Sequence, residues 1–201
     1  MNMNKFSIIM PSYLGDYPYS AKDKESKIIR ALDSVVNQTY EDWELIIIAD
    51  GCNKTCEVVD EYFKEKNCNI KLYYIDKQPL FSGIRNIGID KAEGDYIIYL
   101  DIDDYYSKDY LMNLSKEITS HDWYFVNDYK LVGNEFKESK CVERLGHCGT
   151  SNVIHKKLDV KWMKSDYSED FQFIKRLLKY DYKRLLTCGY YVCHIPHKYD
   201  V

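Results

Sequence analysis

The sequence predicts an α/β protein: a mostly parallel sheet flanked by helices, with a smaller mixed half behind it. Three observations predict this. Four short runs are apolar throughout instead of alternating, as strands covered on both faces must be. Segments with helical spacing of apolar residues separate those runs. The runs stop at a proline or an aspartate, three of them at Pro11, Asp50 and Asp101, so polar groups collect at one edge of the sheet.

The first run, "FSIIM" at 6–10, reads as a buried strand ended by Pro11, followed by a polar, Tyr-rich loop, "SYLGDYPYSAKDKE". In "SKIIRALDSVVNQ", Ile28, Ile29, Leu32, Val35 and Val36 repeat at helical spacing, with Ser26 placed to cap. "WELIIIAD" is a second apolar strand, ending at Asp50. "KTCEVVDEYFKEK" is an amphipathic helix, "IKLYYID" a third strand, "SGIRNIGIDKA" a third helix and "DYIIYLD" a fourth strand. After Asp104 the pattern changes. "KDYLMNLSKEI" is a helix, and "DWYFVNDYKLVGNEFKESKCVE" reads as strands turning near Gly133-Asn134. "SEDFQFIKRLLKY" is a helix capped by Ser168, and "KRLLTCGYYVCHI" gives one or two short strands. No repeat, low-complexity stretch or Gly/Ser linker divides the chain. One domain over 1–201 is expected, with a nucleotide-binding front half, 1–106, and an acceptor-side back half, 107–201.

Bulk properties narrow the function. The 201 residues, 45% hydrophobic and 30% charged, suffice for a buried core. A net charge of -4 argues against a general nucleic-acid binder, which needs a basic surface. Seven cysteines without paired CxxC spacing argue against a disulfide framework or a zinc ribbon. Cys188, Cys193, His194 and His197 gather in the tail, but their spacing fits no common structural zinc site. No run approaches the roughly 18 apolar residues of a membrane span, and the N-terminal apolar patch is too short for a signal peptide. The expectation is a cytoplasmic protein, with peripheral membrane contact through a partner left open.

In open parallel sheets, ligands bind beyond the carboxyl ends of the strands. Here that edge carries Pro11-Ser12-Tyr13, Asp50-Gly51 and Asp101-Ile102-Asp103. Three carboxylates so close together at 101, 103 and 104 repel one another unless something compensates. Clustered aspartates at a strand end suit Mg²⁺ or Mn²⁺ shared with substrate phosphates; the plainer reading is a solvated turn in which Asp103 and Asp104 cap the next helix. Asp50-Gly51 alone would be an ordinary turn, and Arg85, in the first turn of the third helix, an ordinary surface ion pair. Gly83 at that helix's start would let an anionic ligand approach the helix N-terminus.

The run "SIIMPSY", then "IIRALDSVVNQTYEDWELIIIADGC", then "SGIRNIGIDKAEGDYIIYLDIDDYY" resembles the family 2 nucleotide-sugar glycosyltransferases, over roughly the first 110 residues. The resemblance implies a GT-A type, Rossmann-like fold and an inverting, metal-dependent transfer from a nucleoside-diphosphate sugar, UDP-linked by preference. The acceptor would be a hydroxyl of a glycan, a lipid-linked sugar or a protein. Pro11, Tyr13 and Asp50 would hold the base, with Gly83 and Arg85 nearby, Asp101 the ribose or a metal-bound water, and Asp103 the metal. His194, ending a Tyr-rich strand, would be a further metal ligand, with His197 the alternative. Asp170 would be the catalytic base and Glu169 the alternative, in a first turn whose helix dipole keeps carboxylates ionised. Two departures stand out: Ala49-Asp50-Gly51-Cys52 lacks the family's first acid, and the loop after Tyr13 is long. Competing readings are a non-catalytic nucleotide-sugar binder, a subunit of a larger synthase, or a sugar-phosphate nucleotidyltransferase. The last lacks its Gly-rich basic loop in "PSYLGDYPYS".

Overall fold

The structure, a computed structural model, describes residues 4–16, 23–66, 68–79, 81–163 and 168–193. Its elements in chain order are β1 (Phe6–Ser12), α1 (Lys24–Val36), β2 (Trp43–Asp50), α2 (Asn53–Phe63), β3 (Ile70–Ile75), α3 (Phe81–Lys91) and β4 (Tyr96–Tyr99). There follow β5 (Tyr105–Tyr106), α4 (Tyr110–Glu117), β6 (Trp123–Val132), β7 (Glu135–Ser139), a 3-10 turn (Thr150–Asn152), β8 (Val153–His155), α5 (Glu169–Leu177) and β9 (Tyr182–Val192).

Among the described residues nine strands form one sheet, ordered β3-β2-β1-β4-β8-β6-β9-β5, with β7 pairing β6. The first four are parallel. β8 then runs antiparallel to β4 and β6. The strand order reverses direction between β1 and β4, which opens a crevice at their carboxyl ends.

Period-two alternation explains why these strands are apolar throughout. Phe6, Ile8 and Met10 of β1, with Leu45 and Ile47 of β2, pack beneath Ile28, Leu32 and Val35 of α1 and Leu111 and Leu114 of α4. Ile9, Ile46 and Ile48 face the other way, onto Ile84 and Ile89 of α3, with Phe173 and Ile174 of α5 in the same core. The sheet therefore needs apolar residues on both faces, and an alternating strand would have placed charge in one core.

Several boundaries differ from the sequence reading. β1 runs through Pro11 to Ser12. Pairing with β4 ends at Ile9, so beyond that residue β1 has β4 on neither N–H nor carbonyl and a missing N–H is tolerated. α1 begins at Lys24, before Ser26, because the Lys27 amide closes a turn on the Asp23 carbonyl at 3.1 Å. The N-cap position of α4 is Asp109, not Asp103 or Asp104, and its carboxylate accepts from Thr39 Oγ1 at 2.7 Å instead of capping the helix. The last strand is a single one of 11 residues. The hairpin turns at Gly133, whose φ of 65 is left-handed, and Ser168 is the N-cap of α5 as expected.

The end of the sheet opposite the crevice is bolted by a buried carboxylate. Glu44 accepts from Ser7 Oγ at 2.6 Å and from the Glu93 amide at 2.7 Å, and pairs with Lys71 at 2.8 Å. Burial alone would raise this carboxyl, yet Lys71, Ser7 and the Glu93 amide together hold it below its ordinary value.

Candidate functional site

Beyond the carboxyl ends of the parallel strands lies a cleft of about 770 Å³, lined by Pro11, Tyr13, Asp50, Arg85, Asp101, Asp103 and Asp170 among others. Residues from four strand ends and α5 thus meet in one place. Gly83 and Glu169 do not line it. Gly83 makes room for a side chain instead, since a Cβ there would sit 3.3 Å from Gln78 Oε1. His194 and His197 lie outside the described residues, and so does part of the loop after Tyr13, at 17–22.

One end of the cleft is built by Tyr13, Asp50 and Lys77. Asp50, 1% exposed, accepts from the Gln78 amide at 2.6 Å and from Lys77 Nζ at 2.7 Å. The same Nζ lies 3.3 Å from the centre of the Tyr13 ring. Gly51 makes this approach feasible. It has φ +62, and a Cβ there would fall 2.7 Å from Lys77 Cβ and 2.9 Å from Lys77 N. Sequence reasoning missed Lys77, whose partner is 27 residues away on the neighbouring strand.

The segment Arg85-Asn86-Ile87-Gly88 shows one residue type per task. Arg85 is in the second turn of α3, not the first, and reaches Asp101 Oδ1 at 3.3 Å. Its guanidinium lies 4.9 Å over the Trp162 ring. Asn86 exchanges two hydrogen bonds of 2.8 Å with the backbone of Trp162. Gly88 lets α3 settle on β1, because a Cβ would meet Ile9 Cγ2 at 2.4 Å. Trp162 in turn stacks on Phe173 of α5 at 4.1 Å. It is therefore a packing residue linking α3 to α5, as Trp123 is against Tyr182.

The three acids after β4 are held differently. Asp101 accepts from Arg85 and, at 3.2 Å, from Thr150 Oγ1. Asp104 is buried; it accepts from Tyr190 OH at 2.9 Å and from the Cys193 amide at 2.6 Å. Burial, then the charges of Asp103 and Asp101, push its carboxyl well above the ordinary range against those two hydrogen bonds. Asp103 is tied through its main chain, whose carbonyl accepts from Arg30. Tyr190 and Arg30 gave no sequence signal. Among the described residues no three His, Cys, Asp or Glu side chains gather around one point to cage a metal. The carboxylate oxygens fit a hard divalent cation that takes one or two protein ligands and completes its sphere with water and phosphate.

Asp170, in the first turn of α5, lines the same cleft beside Gly149, where a Cβ would lie 3.9 Å from its Oδ2. Burial pushes the Asp170 carboxyl up to about 6; Arg85 opposes the rise, and Asp101 and Glu169 add to it. Burial thus outweighs the favourable position in the first turn, while leaving the carboxyl ionised at neutral pH. A carboxylate poised near neutrality is a better proton acceptor than one with an ordinary acidity. Behind Gly149, Asp128 is buried and accepts from Ser151 Oγ at 2.7 Å and Asn152 Nδ2 at 3.2 Å, fixing the turn that carries Thr150. His155 is spent on the core, bonded to Tyr99 OH at 2.7 Å and lowered to about 4 by burial. All seven cysteines are free thiols.

A family model described as glycosyl transferase family 2 matches residues 7–163. An uncharacterized glycosyltransferase of Haemophilus influenzae is 34% identical over 144 residues, 68% of this chain and 53% of that protein. The poly(ribitol-phosphate) beta-N-acetylglucosaminyltransferase TarS of Staphylococcus aureus is 28% identical over 123 residues, 59% of this chain and 20% of that one. The chain thus spans about half the length of the first relative and a smaller part of the second. Among solved structures, S. aureus TarS 1–349 in complex with UDP-GlcNAc superposes with a TM-score of 0.75 at 21% identity, covering 96% of this chain and 60% of that one. The mannosyltransferase PcManGT from Pyrobaculum calidifontis, in complex with GDP-Man and Mn²⁺, gives 0.71 at 12% identity, covering 98% and 59%. At these identities the structural likeness is one of fold, the GT-A type. No helix among the described residues is long and apolar enough to cross a membrane.

Proposed function

This chain belongs to glycosyl transferase family 2, and from that membership we propose that it transfers a sugar, with inversion, from a nucleoside-diphosphate sugar to an acceptor hydroxyl. The observation that carries the proposal is one cleft that gathers the strand-end acids, Arg85 and Asp170, whose carboxyl is raised by burial to about 6. The donor occupies the strand-end side. Its base stacks on Tyr13 beside Pro11 and gives an N–H to Asp50, and its ribose hydroxyls meet Asp101. UDP-sugars are the favoured donors: S. aureus TarS, of the same fold, has been solved with UDP-GlcNAc.

Asp103 would hold a Mg²⁺ or Mn²⁺ ion, with Asp101 reaching it through water, and the ion would supply charge neutralisation to the diphosphate. Arg85 adds a fixed cation on the same side. Asp170 accepts the acceptor's hydroxyl proton as that oxygen attacks the anomeric carbon, and the bond from that carbon to the diphosphate oxygen breaks. The nucleoside diphosphate leaves with the electron pair. The acceptor is a glycan, lipid-linked or protein hydroxyl, entering past the Gly149–Asn152 turn.

The test is calorimetric titration of UDP, GDP, CDP and dTDP with and without Mn²⁺, followed by donor-hydrolysis and transfer assays. Asp103→Ala should abolish metal-supported binding. Asp170→Asn should keep binding and lower turnover by about 10²–10⁴-fold. Wild-type turnover in Asp170→Asn would move the base role to Glu169, and binding without turnover in the wild type would favour a non-catalytic binder.

A further inference from the structure

We infer that Lys77 determines which nucleotides enter the base slot, by occupying the place the base must take. The inference rests on the proposed nucleotide-sugar reading of the cleft. Lys77 Nζ lies 3.3 Å above the centre of the Tyr13 ring, the distance and position of a stacked base. The same nitrogen is 2.7 Å from Asp50 Oδ2, the oxygen facing the slot, because Asp50 Oδ1 is taken by the Gln78 amide. One ammonium therefore fills both halves of the slot: the aromatic platform and the carboxylate that reads the base edge. The arrangement is built into the fold. Gly51 brings the Lys77 backbone against the end of β2 at a distance no side chain would permit.

A base that stacks on this face of Tyr13 must displace the ammonium from the ring and from Asp50 in one movement. Asp50 is 1% exposed, so losing its cation without replacement leaves a buried, half-satisfied carboxylate. The entering base has to replace the lost donor. Uracil, thymine and guanine bring a ring N–H; cytosine and adenine present a ring nitrogen lone pair there, which faces the carboxylate as acceptor against acceptor. The Lys77–Asp50 pair thus makes entry conditional on a ring N–H and lowers affinity for every nucleotide by the cost of moving the ammonium. Lys77 is half exposed and can swing into solvent without further rearrangement.

Removing the charge removes the cost of moving the ammonium. Lys77→Met should bind UDP more tightly than wild type, on the order of fivefold to tenfold, the size of a partly exposed cation–π contact and ion pair. Its preference for UDP over CDP should persist, because the Asp50 carboxylate still requires a ring N–H from the base. Lys77→Arg, which keeps a cation on the ring and on Asp50, should bind no more tightly than wild type. Calorimetry of UDP and CDP against wild type and both variants reads this. Lys77→Gln replaces the methionine variant if the latter melts near the assay temperature. UDP binding that is weaker or unchanged in the charge-free variant overturns the inference while leaving the nucleotide reading intact. Absence of binding by any nucleotide to all the proteins overturns the nucleotide reading, and the inference with it.

Discussion

Replacing Asp170 by asparagine should stabilise the ligand-free protein at neutral pH, even though it should remove turnover. The Asp170 carboxyl goes from its ordinary 3.8 to about 6 on folding. Between those values the folded state holds a proton that the unfolded state has released. Stability therefore falls as pH rises through this window, and the penalty is complete above pH 6. A shift of about two pH units corresponds to at most about 3 kcal/mol. Asp170 is only partly buried by accessible area, so about 1–2 kcal/mol is the reasonable share after screening. For a chain of this size that is a rise in Tm of roughly 3–6 °C. The asparagine variant carries no such penalty. The difference between the two proteins should be near zero at pH 4, open between pH 4 and 6, and stay constant above. Urea or thermal unfolding at half-unit pH steps, without nucleotide or metal, measures it. A variant less stable than wild type at pH 7.5, or a difference that does not change between pH 4 and 7, would refute the assignment of Asp170 as a desolvated carboxyl and remove the electrostatic basis for its role as base.

Other perturbations separate the site from its scaffold. Glu44→Gln breaks the bolt at the far end of the sheet and should cost about 2–4 kcal/mol at neutral pH. Because the Glu44 carboxyl is held low, its contribution is present above its unfolded pKa and is lost as pH falls through the folded one, so the defect should fade in acid; nucleotide affinity at low temperature should not change. Gly51→Ala places a side chain at φ +62 and against Lys77, at a cost of about 2–3 kcal/mol, and should deform the base slot. Melting curves with and without UDP would show a lower Tm and a smaller ligand-induced shift, and an unchanged nucleotide affinity would argue against the slot as described.

The fold was legible because a sheet packed on both faces leaves a composition no other arrangement needs: "ELIIIA" has no polar side to turn to solvent. Helix ends were less legible. Ser26 has the right chemistry to cap α1, but the chain had already turned helical at Lys24, and local preference cannot see where the preceding loop delivers the chain. The back half was only half legible, since β8 has three residues and its register with Ile97 of β4 and Trp123 of β6 is set entirely by tertiary packing. Within the cleft, the lining residues at strand ends, Pro11, Asp50, Asp101 and Asp103, could be placed together from sequence, because strand ends can be read. Lys77, Thr150, Tyr190 and Arg30 were not. Each acts on a group far along the chain, 86 residues away for Tyr190 and Asp104, and one tyrosine among 20 carries no mark of its partner.

The sequence Asp-Ile-Asp-Asp cannot say which of its acids is for the framework and which for a ligand; burial decides. Asp104 is buried at the edge of the cleft, bonded to Tyr190 and to the Cys193 amide, and burial and its acidic neighbours push its carboxyl well above the ordinary range. A buried acid with both oxygens already bonded to β9 and the residue after it is a poor metal ligand and a good strut: it fastens the end of β9 to the loop after β4. Asp101 is paired with Arg85 and steadied by Thr150, so its orientation is fixed before any ligand arrives. Asp103 enters the framework through its backbone carbonyl, which accepts from Arg30. Two of the three acids thus support the third. The expected consequence is that Asp104→Asn, whose amide oxygen can keep the bond from the Cys193 amide while its NH2 faces the Tyr190 hydroxyl, should retain metal-supported nucleotide binding, whereas Asp103→Asn should lose it. Equal loss in both would mean that Asp104 ionises and joins the metal when the donor binds, and the division of labour drawn from burial would be wrong.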